Sequence, residues 1–298
     1  MMVMTRQPTL RGELRRDEPL RRYNTWRVGG PARQMYLPAD AADLGLFLRS
    51  LPADEPLLWL GLGSNLLIRD AGFRGTVILL QGCLNSIRVE GVRVSAEAGA
   101  TCAKVARECA RADLVGAAFL AGIPGTMGGA LAMNAGAFGG ETWPIVDSVT
   151  VIDRSGSLHT RYPAEYRIGY REVVAPGEEW FVGCTLQLTE GDGEAEQAAI
   201  RALLDRRAAT QPIGQPSCGS TFRNPPGDHA ARLIEACGLK GYRIGGAEVS
   251  TKHANFIINT GAASAADIEA LIEHVRSRVA QCEGVLLRTE VHVVGDAV

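Results

Sequence analysis

The chain of 298 residues is 46% hydrophobic and 21% charged, with a formal net charge of -2. This composition is that of an ordinary folded protein, and the length favours two domains because single hydrophobic cores rarely grow beyond ~250 to 300 residues. The near-zero charge gives no reason to expect a nucleic-acid partner, and no apolar run reaches the ~18 residues that a membrane span needs.

The amino-terminal residues are rich in arginine and lack the continuous apolar segment of a secretory signal. We predict that residues 1–20 form a flexible, solvated arm, and that the protein is cytoplasmic and monomeric. The 7 cysteines are scattered singly without a Cys-x-x-Cys pair, which indicates reduced thiols and argues against a metal site.

Residues 21–190 are predicted to form an α+β domain with two lobes. The segment LLWL is a strand that ends in a glycine turn, TVILL is a buried strand, and IRVEGVRVSAEAG is a hairpin. A helix follows in TCAKVARECARADL, with Thr101 as its N-cap, and a second hairpin turns at Ser155 and Gly156. Two small lobes of this kind are able to hold a ligand between them.

The polar segment TEGDGEAE, around residues 190–195, predicts the domain boundary. Residues 195–298 are then a smaller α+β domain with three helices and two strands. Its longest apolar-periodic helix has Ser264 as N-cap and Gly284 just after its end, and both residue types are typical of these positions. The last strand, VLLRTEVHVVG, is expected to present Arg288, Glu290 and His292 on one polar face.

Glycine accounts for 35 residues and is concentrated in two segments, LGLGSNLLI and AGIPGTMGGALAMNAGAFGGE. In the first, Gly61 and Gly63 let backbone N–H groups turn toward an anion, and Ser64 and Asn65 add side-chain donors. The lysine of a Walker A loop and the spacing of a Rossmann turn are both missing. The second segment has too little side-chain bulk to fill a core alone. Either a bound ligand or a tightly packed turn accounts for it.

Seven segments of the chain, taken together, carry a more specific signal. They are YNTWRVGGPA, LGLGSNLLIRDAGFRGTVI, AGIPGTMGGALAMNAGAFGGE, YRIGYR, GSTFRNP, LIEACGLKGYRIGGAEVSTKHANFIINTG and LRTEVHVVG. Their order and spacing, from about residue 20 to residue 295, closely resemble the UDP-N-acetylenolpyruvoylglucosamine reductase (MurB) family. The resemblance implies a PCMH-type FAD-binding domain, which holds FAD non-covalently between its lobes, followed by a substrate-binding domain. It also implies that NADPH serves to reduce UDP-N-acetylglucosamine enolpyruvate to UDP-N-acetylmuramate, in peptidoglycan precursor synthesis.

The resemblance assigns both glycine segments to FAD. The implied cofactor contacts are Gly61, Gly63, Ser64, Asn65, Leu66, Gly122, Ile123, Pro124, Gly125, Thr126, Gly128, Gly129, Asn134 and Gly136. Oxidases that attach flavin covalently usually need a histidine or cysteine at the cofactor, and neither segment contains one. A non-catalytic nucleotide-sugar binding module is the other alternative, and it would require the loss of a reacting group.

Three residues match the reacting groups of the family. Ser220, in CGSTFRNP, matches the proton donor, although a serine in such a loop is usually an ordinary polar residue. Arg171, in IGYREVV, matches the arginine that stabilises charge on the substrate carboxylate, and Arg167 is the competing assignment. Glu290 matches the essential glutamate, although a polar strand face is often simply solvated.

The resemblance also implies three substrate contacts, Tyr170, Asn224 and Lys240. Lys240 follows Gly238 near a predicted helix end, so a lysine that offsets the helix dipole is an equally open interpretation. Little room exists after Arg171 for the tyrosine-bearing insertion of one branch of the family, so we expect the shorter branch. The only partners expected are small molecules, namely the nucleotide sugar and NADPH.

Overall fold

The computed structural model of the chain describes residues 9–296. Its first lobe is a four-stranded mixed sheet with one helix. Its elements are β1 Glu13–Pro19, β2 Pro31–Leu37, α1 Ala41–Ser50, β3 Leu57–Leu60, β4 Leu66–Ile68 and β5 Phe73–Leu79. The sheet has the order β1-β2-β5-β3, and β4 lies outside it. Helix α1 packs on this sheet, where the Phe47 ring stacks on Tyr36 of β2 with ring centroids 3.7 Å apart.

The predicted flexible arm is wrong for residues 13–19. These residues form β1, which pairs antiparallel with β2 from Glu13 opposite Leu37 to Pro19 opposite Pro31. Strand β1 lies at the edge of the sheet, where charged side chains are common because they discourage pairing with other chains. The arginines of this strand therefore made its sequence resemble a solvated arm. Residues 1–8 of the predicted arm lie outside the described residues.

The second lobe is built on a five-stranded antiparallel sheet in the order β12-β11-β15-β7-β6. The strands of the whole lobe, including short pairs outside this sheet, are β6 Ile87–Glu90, β7 Arg93–Glu97, β8 Leu114–Val115, β9 Gly136–Ala137, β10 Gly140–Glu141, β11 Val146–Asp153, β12 Leu158–Arg161, β13 Arg167–Gly169, β14 Glu172–Val174, β15 Glu179–Gln187 and β16 Thr189–Glu190. Its helices are α2 Cys102–Arg111, α3 Met127–Ala132 and α4 Gly193–Thr210. The hairpins predicted in residues 87–99 and at Ser155 and Gly156 are confirmed, by the pairing of β6 with β7 and of β11 with β12.

Helix α4 packs on this second lobe. The boundary between the domains therefore follows this helix, whereas the sequence placed it at residues 190–195, before the helix. Ile200 is buried in the core of the lobe. The Glu196 carboxylate accepts three backbone hydrogen bonds, of 2.8 to 3.1 Å, from consecutive N–H groups of residues 116–118. The polar segment that suggested a domain boundary is instead a helix start, because the Asp192 side chain accepts a hydrogen bond from the Ala195 N–H.

The carboxyl-terminal domain consists of a three-stranded sheet, β17-β18-β19, covered by a long helix. Its elements are α5 Ala230–Ala236, β17 Arg243–Ile244, β18 Ala247–Val249, β19 Ile257–Asn259, α6 Ala265–Glu283 and β20 His292–Val294. The predicted ends of α6 are confirmed, since Ser264 and Asp267 form a reciprocal capping box and Gly284 has a φ of 69°. The buried Trp26 joins this domain to the first lobe by donating from its indole N–H to the Ile257 carbonyl at 2.7 Å.

The last predicted strand is shorter than expected. Only His292–Val294 is a regular strand, and it pairs in parallel with β4 of the first lobe. Just before it, Thr289 forms an isolated bridge to Phe222. The end of the chain thus returns to the first glycine loop, which places Glu290 beside that loop.

Within residues 9–296, no helix has both the length and the apolar character needed to cross a membrane. The same part of the chain contains no cluster of three or more His, Cys, Asp or Glu residues suited to a metal ion. All seven cysteines are free thiols, and four of them are buried.

Candidate active site

A cleft of about 790 Å³ lies where the two lobes and the carboxyl-terminal domain meet. Its volume is within the range of small-molecule and cofactor sites. Most of the implied cofactor residues line it, namely Gly61, Gly63, Ser64, Asn65, Leu66, Gly122, Ile123, Pro124, Gly125, Thr126, Gly129 and Gly136. Both glycine segments therefore face one cavity.

The glycines of these segments serve two different purposes. A Cβ at Gly61 would collide with the Thr126 side chain, and one at Gly122 would lie 2.6 Å from the Phe138 ring. A Cβ at Gly128 would lie 2.9 Å from the Ala98 Cβ. These positions need glycine for packing within the protein. For Gly122 and Gly128, in the second segment, close packing is therefore part of the explanation, although Gly128 lies in a helix and not in a turn. Gly128 also does not line the cleft, in contrast to the expectation from the sequence.

Gly125 and Gly129 differ from the others because the protein leaves space beside them. A Cβ at Gly125 would have the Ser64 Oγ at 3.7 Å as its nearest neighbour, and one at Gly129 would have the Thr126 Oγ1 at 3.9 Å. Both residues line the cleft. Their lack of a side chain keeps the wall of the cleft open to a ligand.

Arg171 lies at the tip of the β13–β14 hairpin with a φ of 55°, in the left-handed region. Its Nε donates to the Glu290 Oε1 at 3.0 Å, and its Nη1 and Nη2 donate to the carbonyls of Asn134 at 3.3 Å and Gly136 at 2.9 Å. These bonds fix the guanidinium at the wall of the cleft. Arg167 is exposed on β13 and does not line the cleft, so the geometry favours Arg171.

Asn134 supports this arrangement and does not line the cleft, in contrast to the expectation from the sequence. Its side chain is buried and donates to the Glu141 Oε2 at 2.9 Å and to the Gly169 carbonyl at 3.2 Å. Its Oδ1 accepts from the Trp143 N–H at 3.1 Å. Asn134 thereby anchors the hairpin that carries Arg171.

Glu290 and Ser220 line the same cleft as Arg171. Burial raises the pKa of the Glu290 carboxyl above its ordinary value, and the positive charge of Arg171 partly opposes this rise. Asn65 holds the segment in place, since its Nδ2 donates to the Glu290 carbonyl at 3.0 Å. The three residues that the sequence matched to reacting groups are therefore brought together from three separate parts of the chain.

Comparison with known proteins identifies the family. Residues 211–294 match the carboxyl-terminal domain of UDP-N-acetylenolpyruvoylglucosamine reductase, and residues 32–161 match an FAD binding domain. The UDP-N-acetylenolpyruvoylglucosamine reductase of Alkalilimnicola ehrlichii is 63% identical over 286 residues, which cover 96% of both chains. That of Methylococcus capsulatus is 60% identical over 96% of this chain and 95% of its own. The crystal structure of UDP-N-acetylenolpyruvylglucosamine reductase (MurB) from Thermus caldophilus superposes with a TM-score of 0.82, at 34% identity, over 96% of this chain and 99% of its own.

The chain belongs to the UDP-N-acetylenolpyruvoylglucosamine reductase family. The predicted fold class, an α+β FAD-binding domain followed by a smaller α+β domain, is confirmed. The family's carboxyl-terminal match begins at residue 211, directly after α4, which agrees with the packing of that helix on the second lobe.

Of the implied substrate residues, only Asn224 lines the cleft of this family member. Its Oδ1 accepts from the Ala230 N–H at 3.1 Å and so also holds the start of α5. Tyr170 is about half exposed, with a relative exposure of 49%, and its ring lies 5.3 Å from the Arg171 guanidinium. Lys240 forms an ion pair of 2.7 Å with Glu235 outside the cleft. The geometry therefore favours a structural role for Lys240 near the end of α5, as an ion-pair partner of Glu235.

The sequence did not single out several residues of the cleft wall. These include Trp59, Met133, Phe138, Arg206, Arg207, Gln211, His253 and Phe256. One signal was available for the two arginines of α4: they have no acidic residue three or four positions away, where helical ion pairs form. The others carry no local signal, because their position at the cleft depends on how the domains pack.

Proposed function

We propose that this chain catalyses the NADPH-dependent, FAD-mediated reduction of UDP-N-acetylglucosamine enolpyruvate to UDP-N-acetylmuramate, in peptidoglycan precursor synthesis. The convergence of Ser220, Arg171 and Glu290 on a cleft walled by the two glycine segments carries this proposal. The relatives that share 60% or more of the sequence bear the name of this reductase.

The cleft suits FAD on two structural grounds. Gly125 and Gly129 present backbone without side chains toward the cavity, so that a flat ring system or a diphosphate can approach closely. The buried indole N–H of Trp59, which also lines the cleft, has no hydrogen-bond acceptor among residues 9–296. Bound FAD would supply hydride transfer between NADPH and the enolpyruvyl double bond.

Ser220 supplies the proton in this proposal. Hydride addition to one carbon of the double bond leaves negative charge on the neighbouring carbon and its carboxylate, and that carbon is basic enough to accept the proton from the Ser220 Oγ. Such proton donation by a positioned side chain typically contributes ~10²- to 10⁴-fold to the rate.

Arg171 stabilises the developing charge as a fixed cation. Three of its five N–H donors hold it to Glu290, Asn134 and Gly136, and the others remain to bind the substrate carboxylate. A positive charge that is already oriented costs no reorganisation during the reaction. Glu290 orients this guanidinium, and its raised pKa lets it take up a proton more readily than an exposed glutamate does.

Anaerobic spectroscopy tests the proposal. Protein that contains FAD should lose its visible absorption when NADPH is added and regain it when the enolpyruvyl substrate follows. A Ser220→Ala variant should retain FAD and still be bleached by NADPH, while reoxidation by the substrate slows by ~10²-fold or more. Near-normal reoxidation in this variant would exclude Ser220 as the proton donor. A chain that takes up no FAD would overturn the whole assignment.

A further inference from the structure

The last turn of α4 presents two arginines to a part of the cleft wall that carries none of the three reacting groups. Arg206 and Arg207 both line the cavity, together with Thr210 and Gln211 from the same end of the helix. The Arg206 guanidinium lies 5.8 Å from the centre of the Phe138 ring, which also lines the cleft. The reaction steps proposed above assign no role to these two cations.

Arg207 is the more informative of the pair because it is half-buried. Its Nε donates to the Gln211 Oε1 at 3.0 Å, a neutral acceptor. Burial lowers the pKa of Arg207, and no carboxylate among residues 9–296 counteracts this effect. A guanidinium that loses water is normally compensated by an anion. The protein thus presents a positive charge at the cleft that its own described residues do not neutralise.

Arginines at the end of a helix often serve to offset the helix dipole. In α4 another residue performs that task, since the Lys252 Nζ donates to the Ala208 carbonyl. The Arg207 carbonyl is bonded to the Gln211 N–H, and the Arg207 side chain is directed to a side-chain oxygen instead of to the final carbonyls. The Arg207 side chain therefore does not cap the last carbonyls of α4 by hydrogen bonding.

We propose that Arg206 and Arg207 form an anion subsite for a phosphate group of a bound nucleotide. The proposal rests on the proposed function only for the identity of that nucleotide, which is FAD, NADPH or the nucleotide sugar. Two guanidinium groups on adjacent residues match the several oxygens of a phosphate or diphosphate. Phe138 and Gln211 hold the two side chains at the cleft.

Two variants and one matched control test the subsite. Arg207→Met and Arg206→Gln each remove one cleft cation. Arg201→Gln removes the same charge from an exposed position on the same helix that does not line the cleft. The first measurement is the affinity of the purified protein for inorganic pyrophosphate, followed by thermal shift at low ionic strength. The second set comprises the rate of flavin loss on dilution and the KM values for NADPH, NADH and the enolpyruvyl substrate.

We expect Arg207→Met to weaken pyrophosphate binding at least 10-fold, or to raise the flavin loss rate or one KM by a similar factor, while the Arg201 control matches the wild type. A rise in KM for NADPH but not for NADH assigns the subsite to the phosphate that distinguishes them. Faster flavin loss assigns it to FAD, and a higher KM for the substrate assigns it to the nucleotide sugar. If all these values stay within twofold of the control, the subsite does not exist. The pyrophosphate titration needs neither flavin nor turnover, so it is informative even if the proposed reaction fails.

Discussion

A single methyl group at Gly129 should affect protein stability and flavin binding in opposite directions. Gly129 lies in α3, and an added Cβ would have its nearest protein neighbour, the Thr126 Oγ1, at 3.9 Å. Replacement of glycine by alanine inside a helix stabilises a protein by about 0.5 to 1 kcal/mol when no atom is in the way. The same methyl group extends into the cleft. If FAD occupies that space, overpacking should cost about 1 to 3 kcal/mol, which weakens binding about 5- to 150-fold.

Gly128 provides a matched control in the next position of the helix. Its added Cβ would lie 2.9 Å from the Ala98 Cβ and would not face the cleft. We therefore expect Gly128→Ala to lower the free energy of unfolding, in contrast to Gly129→Ala. Denaturant unfolding of flavin-free protein gives the free energy of unfolding of both variants. Titration with FAD, followed by quenching of flavin fluorescence, gives their affinity for the cofactor.

A Gly129→Ala protein that binds FAD as tightly as the wild type would contradict this explanation. In that case the open wall at Gly125 and Gly129 would not contact the cofactor, and the glycines would have no explanation from ligand binding. A Gly129→Ala protein that is less stable without flavin would show instead that the cleft wall is more closely packed than its geometry indicates.

Two further predictions concern Glu290 and Ser264. Burial raises the pKa of folded Glu290 above 4.5, so the stability this group contributes is full below that pH and is lost as the pH rises through the folded value. Glu290→Gln should therefore gain stability relative to the wild type above pH 4.5, by ~1.4 kcal/mol for each tenfold difference in proton affinity between the folded and unfolded chain. Denaturation between pH 4 and 8 checks this, and a difference independent of pH would contradict it. Ser264→Ala should lose about 1 kcal/mol, because the Ser264 Oγ accepts from the Asp267 N–H at 3.0 Å at the start of α6. Ser277→Ala, in the interior of the same helix, is the control, and equal stability of the two variants would exclude the cap.

Local patterns predicted the local structure well. The ends of α6 depend on Ser264 and Gly284, whose effects act within one helical turn, and both ends are as predicted. The hairpin at Ser155 and Gly156 is likewise decided by a few adjacent residues. The family resemblance, which uses the order of motifs along the whole chain, correctly indicated the fold class and the FAD-binding domain.

The errors arose where a segment's environment, and not its own pattern, decides its structure. The charged residues of β1 resemble a flexible arm, but an edge strand tolerates charge on its open side. The polar residues before α4 resemble a domain boundary, but they cap a helix whose Glu196 is bound to the second lobe. Asn134 lies in a segment that the resemblance assigned to the cofactor, yet its side chain is turned to the hairpin of Arg171.

Motifs and capping residues were enough to assign the family and to predict the ends of α6, because capping acts within one helical turn and the motifs are short. Only the packed molecule showed which glycines have open space beside them at the cleft and which are enclosed by protein, since Gly128 and Gly129 are adjacent in sequence but meet different surroundings. The same holds for the contact of Arg171 with Glu290, 119 residues away, and for Arg207, which is left at the cleft without an anionic partner among the described residues. Burial and charge pairing depend on contacts between distant segments, and no local pattern specifies those contacts.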